Sequence, residues 1–333
     1  MKTLRAGSFA PNSLLFALGI AALMSSLQVE AQPFPTKPVR VIVAIAAGSP
    51  TDIILRTAGP QLVDSLGQTL VIDNRPGGNQ VVGAEACARS APDGYTYCVM
   101  TNTAISVNPY IMANLSYNPE RDFKPVTALW FLINGLVATG SLPANSIREL
   151  KDLAAAKPGS LNFATQGSGT GPDIFRQWLN EHWNTDIVGI PYKGANLIMN
   201  ALISGEVHFS RIAPLGDYIE VQMRAGKVKL LAVGTSRRLA RFPDVPTYAE
   251  VNLDGYPEKT WWGMFAPAGT PDAMVRRVNS EFARLFREPK FSAYLESQYV
   301  EPAISSLEEF ALFLKEDRER AGQTVKKYNL AHQ

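Results

Sequence analysis

The chain has 333 residues, of which 46% are hydrophobic and 19% charged, with a net charge of +2. That length argues for about two domains, and the balance excludes a disordered chain, a collagen and a coiled coil. No basic stripe with interleaved aromatics points to nucleic acid. With three histidines (His182, His208, His332), two cysteines and neither H-E-x-x-H nor C-x-x-C, the sequence predicts no zinc site and no cofactor.

Lys2 and Arg5 give a positive start, and an apolar run follows from Leu14 to Met24. Val29-Glu30-Ala31 then places small residues at −3 and −1 of a cut after Ala31. This is the layout of a secretory signal peptide over residues 1–31. The run is about half the ~20 residues that a bilayer span needs. No cysteine follows the cut to take a lipid, and no later stretch is apolar enough to span a membrane. The expectation is a soluble, exported product, placed in the periplasm.

The remaining chain alternates strand and helix signals. Val39–Ile45 reads as a buried strand and Thr51–Leu66 as a helix with Ile54, Ala58, Leu62 and Leu66 on one stripe, kinked at Pro60. Thr69–Asp73 reads as a strand, Gly83–Ser90 as a helix and Tyr95–Met100 as a strand. The turn 91–94 makes the last two antiparallel neighbours, bringing Cys87 towards Cys98. In an oxidising compartment these two form either a disulfide or a pair of small buried thiols. Ser146 with Glu149 opens a helix to Ala156. Strands at Leu161–Thr165 and Ile187–Ile190 flank a helix near Ile174–His182. Ala195–Ser204 reads as a helix stopped by Gly205, and Val207–Ser210 and Lys229–Val233 as strands around another helix. Thr270-Pro271 starts a helix with Val275, Val278, Phe282 and Leu285 inward, and Ser306 with Glu309 caps the last one. The pattern is α/β with mostly parallel sheets.

One feature recurs. Strand Val39–Ile45 runs into a loop with Gly48, Ser49, Thr51 and Asp52, and strand Leu161–Thr165 runs into one with Ser168, Gly169, Thr170 and Asp173. Each is a strand, a Gly/Ser/Thr loop, then an Asp that opens a helix. Ligands in open α/β sheets bind at such strand ends, and the helix start offers free N–H groups to an anion. The alternative is that Asp52 and Asp173 simply stabilise helix N-termini. The spacing around Gly167 fits neither a dinucleotide loop nor a P-loop, and no G-x-S-x-G elbow surrounds Ser49 or Ser168. No triad or paired-carboxylate site can be assembled.

Taken in order, the segments 35–40, 46–52, 73–78, 91–96, 122–127, 191–194, 242–247 and 265–271 resemble the tripartite tricarboxylate transporter receptors, or Bug proteins. The resemblance implies a two-lobed, type II-like periplasmic binding protein. Each lobe would be a mixed, mostly parallel sheet flanked by helices, and crossover strands would join the lobes. Residues 32–135 with 256–333 would form one lobe and 136–255 the other. It implies a carboxylated ligand gripped by the loop matching 47–52 and lined by Thr101, Asn102, Ser168, Gly169, Thr170 and the strand end 207–213, with Tyr192 in the 191–194 motif nearby. It also implies delivery to a membrane transporter, with no nucleic acid and a monomeric receptor.

Two departures from the family stand out. Ser49 replaces the usual second Gly. Arg211 follows Phe209-Ser210 where an acidic pattern is common. Arg211 offers a fork to a second carboxylate, or it pairs with Glu206 or Asp217 on the surface. Trp130, Phe131, Tyr192, Trp261 and Trp262 either line the cleft or pack the hinge. A dicarboxylate is expected, with terephthalate a candidate because some family members handle aromatic dicarboxylates. The competing readings are an exported hydrolase of aromatic esters and a ligand sensor for a membrane kinase.

Overall fold

The computed structural model describes residues 34–167, 170–192, 195–213, 216–256 and 260–330. The expected signal peptide, Ser168, Gly169 and the pair 193–194 lie outside them. Among the described residues the strands make two sheets. The first is built from β1 (Val39–Val43), β2 (Leu70–Asn74), β3 (Thr96–Thr101), β4 (Phe123–Leu132), β10 (Trp261–Pro267) and β11 (Val300–Pro302), in the order β11-β4-β10-β3-β1-β2. The second is built from β5 (Gly135–Thr139), β6 (Asn162–Thr165), β7 (Val188–Pro191), β8 (Phe209–Ile212) and β9 (Val228–Val233), in the order β7-β6-β8-β5-β9. Both sheets are mixed. β1 pairs in parallel with β2 and β3, and β6 with β7 and β8. The antiparallel pairings all involve β4, β5 or β10, the strands nearest the crossings.

The chain crosses between the sheets at Ile133-Asn134 and returns between Val233 and Trp261. The two crossings are tied together: the Gly234 N–H donates to the Asn134 carbonyl (2.8 Å) and the Leu132 N–H to that of Thr260 (2.9 Å). A Cβ at position 234 would stand 2.6 Å from the Asn134 side-chain amide, so any larger residue there would have to displace that amide from Arg211.

Helices cover both faces of each sheet. α1 (Pro50–Leu66), α7 (Asp272–Arg287) and α8 (Pro289–Ser297) pack Ile54, Leu62, Phe282 and Phe291 against Val41, Val43 and Val99. α2 (Val81–Ala88) and α9 (Leu307–Lys327) bring Cys87, Phe310 and Leu314 to Cys98 and Phe265 on the other face. In the second sheet, α3 (Ile147–Ala156) and α4 (Gly171–Trp183) pack Leu150, Phe175 and Trp178 against Leu136 and Phe209. α5 (Ala195–Ser204) and α6 (Asp217–Arg224) close the opposite face with Ile198, Leu202 and Ile219. Burying a side chain of this size stabilises by about 1.5–3 kcal/mol.

Local signals account for most boundaries. Pro60 lies inside α1 without ending it, and Gly67, left-handed at φ 78°, stops it by donating to the Val63 carbonyl (2.7 Å). Ser306 and Glu309 form a full capping box on α9. Cys87 and Cys98 are joined by a disulfide between α2 and β3, with Cα atoms 6.1 Å apart.

One strand near the candidate site differs from the sequence reading, and the tryptophans take the packing alternative. The strand expected at 207–210 is Phe209–Ile212, registered against β5 and β6, and this places Arg211 inside a strand rather than beyond it. Trp130, Trp261 and Trp262 are core residues: Trp130 stacks on Phe286, and the Trp261 indole N–H donates to Asp317 (2.9 Å).

Candidate functional site

The β1–α1 loop is built around one carboxylate. Gly48 turns left-handed at φ 79°, and Ser49 becomes the N-cap, its hydroxyl accepting from the Asp52 N–H at 3.3 Å. Asp52 is buried and accepts from the Gly48 N–H (2.9 Å) and from Arg56 Nε (3.0 Å to each oxygen). Arg56 also donates to Asn74, whose amide donates to the Ile45 carbonyl. Burial works against the Asp52 charge, but Arg56, Gly48 and Asn74 hold its carboxyl below its ordinary value. Asp52 is thus spent on fixing the loop. At the start of α1, Pro50 has no N–H and the Thr51 N–H is one that no helix carbonyl can reach. That end carries the positive pole of a 17-residue helix.

The β6–α4 loop repeats the plan. Gly167 is left-handed at φ 112°, and the Thr170 hydroxyl donates to its carbonyl (2.7 Å). Thr170 is the N-cap of α4, and Asp173 in the first turn accepts from Arg176 (2.9 Å) and Gln177 (2.9 Å). Both loops therefore place an acid in the first helical turn, held by an Arg three or four residues on, beside a glycine turn at a strand's C-terminal end.

At the end of β3, Thr101 is engaged within the protein: its hydroxyl oxygen accepts from Gln80 (2.7 Å) and the Thr103 N–H (3.1 Å), and its own N–H donates to Gln80 (3.1 Å). Asn102 is buried, and its side-chain oxygen has no partner among the described residues. A π-helical turn over Thr103–Val107 follows directly. Tyr192, just after β7, donates to Glu206 (2.6 Å); burial and the Glu206 charge push its hydroxyl up to about 12.

Arg211 is 5% exposed. It faces the α4 side of its sheet, as Phe209 does, because strand neighbours two apart share a face. Its Nε donates to Asn134 Oδ1 (3.2 Å), and its guanidinium lies 5.3 Å from the Tyr256 ring and 5.7 Å from that of Phe175. The surface acids that were its candidate partners are engaged elsewhere, Glu206 with Tyr192 and Asp217 with Arg241 and Tyr299. Among the described residues Arg211 has no ion pair. Tyr256 ties this region to the second loop by donating to the Gly171 carbonyl (3.2 Å).

Arg211 opens onto a cavity of about 740 Å³ between the sheets on the hinge side. Phe131 and Phe313 wall it from the first sheet's side, and Tyr248 and Tyr256 from the return crossing. Its described lining does not include the 48–52 loop or Thr101 and Asn102. The Tyr248 segment is pinned by Glu250, which accepts from Arg238 and from the Thr247 N–H (2.8 Å), and whose carboxyl these two hold down at about 2. Asn134 could have been flagged in the sequence as a lone amide within the apolar stretch 128–138. Tyr248 and Tyr256 lie in a segment without periodicity and gave no such signal.

These groups can bind an anion, and they do not form a catalytic constellation among the described residues. His208 Nδ1 accepts from the Asn162 N–H (2.8 Å), and burial lowers its pKa. His182 stacks on Trp178 with centroids 4.6 Å apart. No group of three His, Cys, Asp or Glu residues that could hold a metal is found among the described residues.

A family model described as the tripartite tricarboxylate transporter family receptor matches residues 54–330. A UPF0065 protein of Bordetella pertussis is 32% identical over 324 residues, covering 97% of this chain and 99% of its own. Among solved structures, R. palustris Rpa4515 with adipate is 27% identical with a TM-score of 0.74, covering 90% of this chain and 99% of that one. MatC (Rpa3494) from Rhodopseudomonas palustris with bound malate is 28% identical with a TM-score of 0.67, covering 88% and 100%.

Proposed function

The chain belongs to the tripartite tricarboxylate transporter receptor family, and on that premise we propose that it is a periplasmic receptor. It captures a carboxylated small molecule between its two sheets by hinge closure and hands it to a membrane transporter of the tripartite tricarboxylate type. The observation that carries the reading is the pair of glycine turns, at Gly48 and Gly167, that lead into α1 and α4, each helix with an acid in its first turn, Asp52 and Asp173. Each sets a helix N-terminus at the C-terminal end of a parallel strand. Receptor function needs no chemistry, in keeping with the backbone contacts that His182 and His208 make.

The solute is read as a dicarboxylate, since the two relatives hold adipate and malate; terephthalate belongs to the same class. Residues 32–135 with 256–333 would move as one lobe and 136–255 as the other, in a monomer. A thermal-melt panel of mono-, di- and tricarboxylates on protein refolded free of bound solute tests the reading. A ligand at 100 times its Kd adds about 2.7 kcal/mol, or several degrees. Stabilisation by dicarboxylates is expected; a melt that no carboxylate shifts would overturn the proposal.

A further inference from the structure

We infer that the hinge-side cavity seats a carboxylate borne on a flat aromatic body, with Arg211 anchoring the carboxylate. This rests on the receptor reading and specifies its solute. The cavity, about 740 Å³, has the size of a small-molecule pocket. At its edge stands a cation that is 5% exposed and has no ion pair among the described residues. Burying an unpaired charge is costly, and here one hydrogen bond to Asn134 and two aromatic faces meet it. A guanidinium has five N–H donors; among the described residues one goes to Asn134 and the Tyr248 hydroxyl lies close by, which leaves further donors for a ligand.

Tyr248 supplies a second, independent sign. It is 8% exposed, and its hydroxyl faces the Arg211 guanidinium, close enough to interact with it but without a well-formed hydrogen bond. A carboxylate can accept from both groups at once, and charge-assisted bonds of this kind are the strong ones. The rest of the wall is aromatic, with Phe131 and Phe313 on one side and Tyr256 on the other, which suits a planar apolar body. Three acids also line the cavity: Asp254, and Glu301 and Glu309, which are held by Ser236 and Ser306. They disfavour a second anionic group beside them, so any further carboxylate on the solute points away from them.

Calorimetric titration of the exported chain with benzoate, cyclohexanecarboxylate, benzamide and adipate tests the inference. Benzoate is expected to bind about tenfold tighter than cyclohexanecarboxylate, and uncharged benzamide not to bind. Arg211→Gln should weaken benzoate by about tenfold or more, and Tyr248→Phe severalfold. Tyr248→Phe keeps the ring and removes only the hydroxyl facing Arg211, so the fold should be retained; it is the informative variant if Arg211→Gln fails to fold. Adipate binding without benzoate binding would overturn this inference and leave the receptor reading standing, as would unchanged benzoate affinity in Arg211→Gln or Tyr248→Phe. Failure of every carboxylate would overturn both.

Discussion

Asp52 and Asp173 do similar work in two places, each an acid in the first turn of a helix that follows a glycine turn. The sequence reading had left them open between ligand contact and helix stabiliser. For Asp52 the answer lies in Arg56 and Asn74, and no motif marks those partners because i,i+4 pairs occur on most helices. Arg56 is 51% exposed, so water screens the pair and its contribution is modest. Asp52→Asn should cost about 1 kcal/mol at pH 7 and weaken carboxylate binding by loosening the loop. The folded-state pKa of Asp52 is lowered, so its stabilisation is present above the ordinary aspartate range and is lost as pH falls through the folded value. Melting curves of wild type and Asp52→Asn should therefore converge in acid. A gap that persists unchanged at low pH would count against this role.

At the scale of elements, periodicity and caps carried most of the fold. The α1 stripe of Ile54, Ala58, Leu62 and Leu66 is fully packed, and Ser306 with Glu309 opens α9 as the pattern predicts. Legibility failed where partners come from far along the chain. Register against β5 and β6 sets the limits of β8, which moved Arg211 into the strand. The cavity's tyrosines come from the return crossing, whose path is set by hydrogen bonds such as Tyr248 N–H to the Val233 carbonyl (2.8 Å). The Cys87–Cys98 bond fastens α2 to β3, directly before Thr101 and Asn102. It closes a loop with a sequence separation of 11, worth about 3 kcal/mol in the chain-entropy account. Replacing both cysteines by Ser should lower the melting temperature by several degrees. An unchanged melt would mean that the surrounding packing alone holds this junction.

For the whole molecule, the decisive feature is that the two sheets carry largely separate cores and are joined by two crossings, Ile133-Asn134 and the segment returning from Gly234, with side-chain ties such as Tyr299–Asp217 and Lys327–Glu181 bridging them. Hinged closure needs little more than a few backbone torsions at such places. The resemblance made two lobes legible from the sequence, yet it could not show the hinge cavity. That cavity forms only where Phe131, Arg211 and Tyr256 meet from three distant parts of the chain. The central claim is that a carboxylate is captured between the sheets, and small-angle X-ray scattering with and without saturating carboxylate measures this most directly. The account predicts a smaller radius of gyration in the bound protein. Identical scattering from the free protein and from protein shown by calorimetry to be saturated would contradict it.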